Sequence, residues 1–378
     1  SYYAMLTILT LKILLMIVYL SHWDWNLYKS RKDIVSSLGE RFFVAMSPEG
    51  EYTNLLKKTY NKCINWNIDR KKIIDIKGLK NLIKNLNNLE DGTIVHSFTL
   101  RTGILYSIAN IYTKNKIKGV LSINGLGYIF SKNLKAKVLK FVLKFFIKRL
   151  FENSFDKIIF QNTNDREVFL NFSKYQKETV LIPGSGIKMK NFVQKSEYSN
   201  NKLKVIFVSR LLIDKGINNY IQLVNKMHNQ NVEFYLAGDI DKGNPNSILE
   251  SDLEMIKNID NLTYIGELDT EKELHKYDVS IIMSSYEGFS RILLESLYVG
   301  LFCISNNIPG TSWQKDFNNC ELVDSNDVES FFRIINSFSN YNFSIDNAND
   351  NREIIKNKYS TQIISNKYNE IYNQLEKY

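Results

Sequence analysis

Proline is scarce in this chain: 4 residues in 378, alongside 17 glycines. A long flexible or polyproline linker is therefore excluded. Only 3 cysteines are present, Cys63, Cys303 and Cys320, an odd and widely spaced set. That excludes a disulfide framework and any cysteine-type metal spacing, and a reduced, cytosolic compartment fits it. The four histidines, His22, His96, His228 and His275, are equally scattered. Long apolar runs are missing too. The stretch from Met5 to Leu20 is broken by Thr7, Thr10 and Lys12, whereas a membrane span needs about 20 apolar residues. It also lacks the basic start and small-residue cleavage site of a signal peptide. A buried parallel strand over residues 12–20 is the better expectation. The opening SYYAM reads as the remnant of an expression leader, which puts the native start at Met5.

One absence is local. Residues 101–150 contain 11 Lys and Arg and no Asp or Glu. Residues 1–200 carry 32 basic and 15 acidic side chains, residues 201–378 carry 17 and 25, so a net +9 conceals a basic half joined to an acidic half. The basic half should face something anionic: nucleic acid, a membrane surface or a phosphorylated substrate. A lysine-rich genome would account for many of the lysines, but not for fifty residues without an acid.

What is present is a rhythm of short apolar runs separated by helical stretches. The runs RFFVAMSP, GTIVHSF, KGVLSING, DKIIFQN and ETVLIPG form a first series, and KVIFVSR, VEFYLAGD, LTYIGEL, VSIIMSS, LFCISNN and CELVD a second. Such alternation is βαβ and predicts parallel sheets with helices on both faces. Between the series lies a polar stretch after Ile182 without periodicity. The expected class is α/β, with two doubly wound, Rossmann-like domains facing across a cleft. Residues 5–195 form the first, 196–355 the second, and 356–378 a terminal helix that can pack back on the first.

Two segments could carry chemistry. In SSYEGFSRILLESLYVG (284–300), Glu287 and Glu295 flank a glycine turn that enters a helix near Ser290. Amides at a helix start can hold a phosphate or a sugar hydroxyl, and both carboxylates can face one pocket. Alone, a dipole-stabilising Glu and a second Glu on a solvated face would explain the pair as well. In VSRLLIDKG (208–216), Arg210 and Lys215 follow a buried strand. Two cations beyond the carboxyl end of a parallel strand suit a diphosphate, although an ordinary surface Arg and loop Lys would read the same.

Together these segments resemble the retaining family four glycosyltransferases of the GT-B fold. The likeness is carried by Arg210 and Lys215, LAGD at 236–239, YIGEL at 264–268, SSYEGFSRILLE at 284–295 and IPG at 308–310. The first half is similar to bacterial transferases acting on polyprenyl-diphosphate-linked sugars, through LSH at 20–22, HSFTLRTGIL at 96–105, INGLGYIF at 123–130 and FQNTNDREVF at 160–169. Asn124 stands where many members have a His, and GTSWQ at 310–314 lacks an acidic residue that relatives often carry. The resemblance implies that Arg210 and Lys215 neutralise the diphosphate leaving group and that Glu287 sits by the donor sugar. Glu295 would bind the nucleotide ribose. Main-chain groups of Gly288, Phe289, Ser290 and Arg291 would touch the sugar or phosphates, and the backbone at Ile265 and Glu267 would hold the base. His22, His96, Asn124, Gly125 and Gly127 fall on the acceptor side. The implied donor is a nucleotide-sugar, UDP-linked, carrying an N-acetylhexosamine or a hexose. The implied acceptor is a polyprenyl-diphosphate-linked saccharide in O-antigen, capsule or glycoprotein glycan assembly.

No cofactor or metal is expected. Asp239-Ile240-Asp241 spells a DxD, but at a strand end in the second domain and without the context that gives that motif a metal. Residues 132–151, KNLKAKVLKFVLKFFIKRLF, read as a helix on which Lys137, Lys140, Lys144 and Lys148 share a face. Its remaining surface is more apolar than a core stripe requires, which fits an interfacial helix on anionic lipid; an ordinary first-domain helix with a solvated face is the competing reading. The expected location is cytoplasmic, peripheral on the inner membrane. A soluble acceptor is the alternative within this fold. A basic nucleic-acid-binding protein is the alternative outside it, disfavoured by the acidic second half and the lack of a nucleic-acid motif.

Overall fold

The structure is a computed structural model, and it describes residues 15–72, 75–126, 144, 146–198, 202–227, 231–324, 327–337 and 345–377. Two parallel sheets organise them. The first half builds β1 (Ile17–Leu20), β2 (Phe43–Ser47), β3 (Lys62–Asn65), β4 (Ile94–Phe98), β5 (Lys118–Ile123), β6 (Lys157–Phe160) and β7 (Thr179–Leu181), in the order β3-β2-β1-β4-β5-β6-β7. The second half builds β8 (Leu203–Val208), β9 (Val232–Ala237), β10 (Leu262–Gly266), β11 (Val279–Ile282), β12 (Phe302–Asn306) and β13 (Cys320–Val323), in the order β10-β9-β8-β11-β12-β13. In both sheets the order reverses beside the first strand, which is the doubly wound pattern. Its crevice lies beyond the carboxyl ends of the strands at the reversal.

The helices are α1 (Asp24–Ser37), α2 (Thr53–Thr59), α3 (Ile76–Asn87), α4 (Leu100–Ile111), α5 (146–154), α6 (Thr163–Ser173), α7 (Ile217–Lys226), α8 (Glu250–Lys257), α9 (Thr270–Glu273), α10 (Arg291–Val299), α11 (Val328–Asn336), α12 (Ile345–Tyr359) and α13 (Thr361–Glu376). Side chains alternate along a strand, so β1 sends Val18 and Leu20 to one core and Ile17 and Tyr19 to the other. The first core is closed by Leu82 and Leu86 of α3, Leu105 and Tyr106 of α4, and Ile147 and Phe151 of α5. The second is closed by Leu27 and Ile34 of α1 and by Ile364, Tyr368 and Tyr372 of α13. The last helix therefore completes the core of the first half.

The chain passes between the halves twice, and the two passages pair. Ile187 N–H donates to Tyr359 O at 3.2 Å, and Thr361 N–H donates to Ile187 O at 3.0 Å. Gly186 has φ +69°, and a Cβ there would sit 2.8 Å from Thr361 N, so only glycine lets the strands approach. The first crossing is thus near Ile187 rather than residue 195. By residue 195 the chain already belongs to the second half, since Lys195 pairs with the buried Asp278 at 2.9 Å. The returning helix likewise starts at Thr361, because residues 356–359 complete α12.

The sequence rhythm did not include β3, a short outer strand of mixed exposure with no apolar run to mark it. Of the strand expected over residues 12–20, the described residues show Ile17–Leu20 as strand, and residues 1–14 lie outside the described set.

Candidate functional site

The site is built at the reversal between β8 and β11. The loop leaving β8 folds onto the end of β11 because Gly216, at φ +87°, has no side chain; a Cβ there would lie 2.3 Å from Met283 O. Ser285 N–H then donates to Asp214 O at 2.9 Å. This contact brings Lys215 Nζ to 2.6 Å from Glu287 Oε1, and the Ser284 hydroxyl donates to the same oxygen at 2.8 Å. Both members of the pair are mostly buried. From the other side the IPG turn supports Glu287: Ser290 N–H donates to Gly310 O at 3.0 Å, and a Cβ on Gly310 would lie 2.3 Å from Glu287 O. Ser290 caps the start of α10, and its buried hydroxyl has no partner among the described residues. An orphaned donor beside a helix N-terminus is a ready place for an anion or a sugar oxygen.

Arg210 is held differently from Lys215. Its Nη1 lies 2.8 Å from Asp241 Oδ2, while the other oxygen of Asp241 takes Arg70 Nη2 at 3.3 Å. Arg70 comes from the first half and lies 3.8 Å over the Trp23 ring, which stacks on Trp25 at 4.8 Å. The two cations expected on a diphosphate are therefore each committed to a carboxylate here. Asp241, the second acid of the DxD, is shared by two guanidiniums. Among the described residues no group of three His, Cys, Asp or Glu side chains could hold a metal ion.

Glu295 is not on a solvated face. It is buried and accepts from Arg291 Nε at 2.7 Å, and Arg291 Nη1 reaches across to Lys29 O at 2.7 Å. Lys29 Nζ lies 2.5 Å from Glu267 Oε1, a half-exposed pair that also joins the halves. Ile265 is partly buried against the core of the second half. Phe289 stacks on Trp313 at 4.7 Å with the planes 10° apart.

Residues 188–361 match the family model described as glycosyl transferases group 1. Those residues span β8–β13 and every side chain of the Lys215–Glu287–Ser284 cluster. They resemble a group 1 glycosyltransferase domain. Over 330 residues, 79% of this chain and 81% of the relative, the sequence is 26% identical to the capsular polysaccharide biosynthesis glycosyltransferase CapM of Staphylococcus aureus. Among solved structures, a sucrose-phosphate synthase from Thermosynechococcus elongatus superposes with a TM-score of 0.75 at 16% identity, covering 95% of this chain and 98% of that one. HepE of Anabaena in complex with UDP-glucose gives 0.74 at 15% identity, covering 95% and 99%. At these identities the structural likeness speaks for the fold, and the whole chain has the two-domain GT-B architecture.

The first half departs from the sequence expectation at one histidine. His96, expected on the acceptor side, is fully buried in β4. Its Nδ1 pairs with the Tyr372 hydroxyl at 2.7 Å and its Nε2 with Ser122 Oγ at 2.8 Å, so it ties α13 to the sheet. Burial holds it neutral, with its pKa well below the usual value. His22 does end β1, and its Nδ1 lies 2.9 Å from Thr102 Oγ1. Burial, then Arg101 and Arg70, push its pKa down to about 3. Asn124 Oδ1 accepts from the buried Arg31 at 3.0 Å, and Gly125 lies against Tyr286. Gly127, Lys137 and Lys140 lie outside the described residues. Lys144 is exposed and Lys148 half-buried. Within α5, Ile147 and Phe151 point into the first core while Phe146 is 61% exposed. The described end of this helix is therefore anchored as an ordinary core helix with an open basic edge. No helix among the described residues is long and apolar enough to cross a membrane.

Sequence reading missed Trp23, Trp25, Arg70, Asp165 and Tyr286. The WDW following the first strand was one visible signal, and Asp165 and Tyr286 lie inside the FQNTNDREVF and SSYEGFSRILLE segments, but only the tertiary fold gives these residues their partners.

Proposed function

We propose that this chain is a retaining glycosyltransferase that moves an N-acetylhexosamine or hexose from a UDP-sugar to a polyprenyl-diphosphate-linked saccharide. The setting is capsule or O-antigen assembly at the cytoplasmic face of the inner membrane. The observation that carries the reading is the gathering of Glu287, Lys215, Ser284 and the start of α10 at the strand reversal, within the residues that match the group 1 family model. There the leaving diphosphate would meet Lys215 and Arg210 and the amides of α10. Charge that builds on the leaving group in an oxocarbenium-like transition state is stabilised by such preorganised donors. Glu287 would face the donor sugar. In a front-face substitution a donor phosphate oxygen takes the acceptor proton, so the protein needs no nucleophile of its own. No metal has a role in this scheme.

UDP-sugars as donors accord with the neighbour solved with UDP-glucose, and capsule assembly accords with the capsular relative. The lipid-linked acceptor accords with the basic first half and the exposed Lys144 and Phe146. A soluble acceptor is the second reading, favoured by the burial of Ile147 and Phe151 in the core. Mass spectrometry of polyprenyl-diphosphate-linked and soluble saccharides, each incubated with a panel of UDP-sugars, separates the two. Nuclear magnetic resonance of the new anomeric bond tests retention. Transfer to soluble sugars alone, or an inverted linkage, would overturn the corresponding part.

A further inference from the structure

Glu287 has two sequence neighbours, and both are fastened to the opposite half of the molecule. The Tyr286 hydroxyl donates to Asp165 Oδ2 at 2.5 Å and accepts from Leu126 N–H at 2.7 Å. Gly288 O accepts from Asn162 Nδ2 at 2.7 Å. A Cβ on Gly288 would lie 2.0 Å from Asn124 O, so glycine alone lets these backbones touch. Gly125 has φ +143°, and a Cβ there would come within 2.9 Å of the Tyr286 ring.

The receiving end is itself hydrogen-bonded. Asn162 caps α6, accepting from Asp165 N–H at 2.8 Å and donating to Asp165 Oδ2 at 3.0 Å. Asp165 is 1% exposed, and its Oδ1 has no partner among the described residues. Burial raises its pKa against the pull of Tyr286 and Asn162. Removing the Tyr286 hydroxyl would leave Leu126 N–H without that acceptor and the buried carboxylate with one donor fewer. Among the described residues the Glu287 carboxylate, by contrast, bonds within the second half, to Lys215 and Ser284. Its two neighbours are thus tied to the first half, while its side chain and the Gly310 turn packed on its carbonyl belong to the second.

We propose that Tyr286 is a positioning residue: through Asp165 and the Leu126 amide it fixes the Glu287 turn against the acceptor half, aligning the Glu287 carboxylate on the donor sugar. This rests on Glu287 lying beside that sugar, as argued above. Arg210 is held by Asp241 and Ser290 N–H by Gly310 O, contacts that do not include Tyr286, so the coupling acts on turnover more than on donor affinity.

The test compares Tyr286→Phe, Asp165→Ala and Asp165→Asn in the full chain. Two quantities are read: UDP release from UDP-glucose, and amide hydrogen exchange at Leu126 in ligand-free protein. Y286F and D165A should lower kcat roughly 10- to 100-fold, the scale of a misplacement of about 1 Å. KM for UDP-glucose should move by less than about twofold, because only transition-state alignment is lost. Leu126 exchange should quicken about tenfold or more in Y286F as the turn opens locally. D165N should recover turnover to within about threefold, since its amide oxygen still accepts the phenol proton. A raised KM with unchanged kcat in Y286F, or wild-type kcat despite faster exchange, overturns the positioning role. Unchanged Leu126 exchange in Y286F overturns the tie itself. A wild type inactive toward every UDP-sugar, yet protected at Leu126, would instead sink the functional reading.

Discussion

Lys215 Nζ and Glu287 Oε1 meet at 2.6 Å although 72 residues separate them. The pair joins the loop after β8 to the turn after β11, the two strands between which the sheet order reverses. A cation suited to phosphate and a carboxylate suited to a sugar hydroxyl thus share one mostly buried spot. Each lowers the cost of burying the other.

Replacing Glu287 with Ala should reduce transfer by about 10² to 10³, the usual loss when one preorganised transition-state contact is removed. Arg210→Ala should cost a similar factor and weaken UDP binding as well, whereas E287A should leave UDP affinity nearly unchanged. Steady-state kinetics together with calorimetric titration of UDP separate these outcomes. Wild-type turnover in either folded variant would remove the donor-site assignment.

Transfer should persist in excess EDTA. Arg210 and Arg70 already occupy both oxygens of Asp241, leaving that acid poorly placed to take a cation. Loss of activity with EDTA and its return with manganese would restore the Asp239–Asp241 pair as a metal site.

Acid should destabilise the first half ahead of carboxylate titration. His96 is neutral in the fold and has a depressed pKa, so the unfolded chain binds a proton that the native one does not. Its contribution is present above about pH 6.5 and is lost as pH falls, with a limiting slope of about 1.4 kcal/mol per pH unit. His22, also depressed, acts in the same direction. Urea unfolding between pH 7 and 5 should show the combined slope of the two histidines, and His96→Gln should remove about one proton's worth of it. An H96Q profile as steep as wild type would contradict the assignment.

Changing Lys140, Lys144 and Lys148 to Glu should weaken binding to anionic vesicles by roughly two orders of magnitude, at about 1 kcal/mol per basic residue near the surface. Raising the salt should weaken wild-type binding too, since the attraction is screened over about 8–10 Å. Transfer to a long-chain lipid acceptor in vesicles should fall further than transfer to a short-chain soluble analogue. Equal pelleting of wild type and variant would reduce the helix to a core element of the first half.

Periodicity and turn chemistry were enough to read the two βα series apart from the outer β3, because buried parallel strands must be apolar on both faces whatever surrounds them. The same local logic marked the Gly288 turn and the start of α10, and set Arg210 and Lys215 beyond a strand end. It could not tell His96, locked between Tyr372 and Ser122 in the core, from a histidine open to a cleft. A strand-end position looks alike in sequence whether or not a helix from the far end of the chain covers it. Nor could it reach Tyr286–Asp165 or Arg70–Asp241, pairs whose members lie 121 and 171 residues apart. What joined them was the packing of the two halves on each other, with α13 returned to the first. That docking depends on shape and on buried hydrogen bonds across an interface, and no local pattern along the chain encodes it.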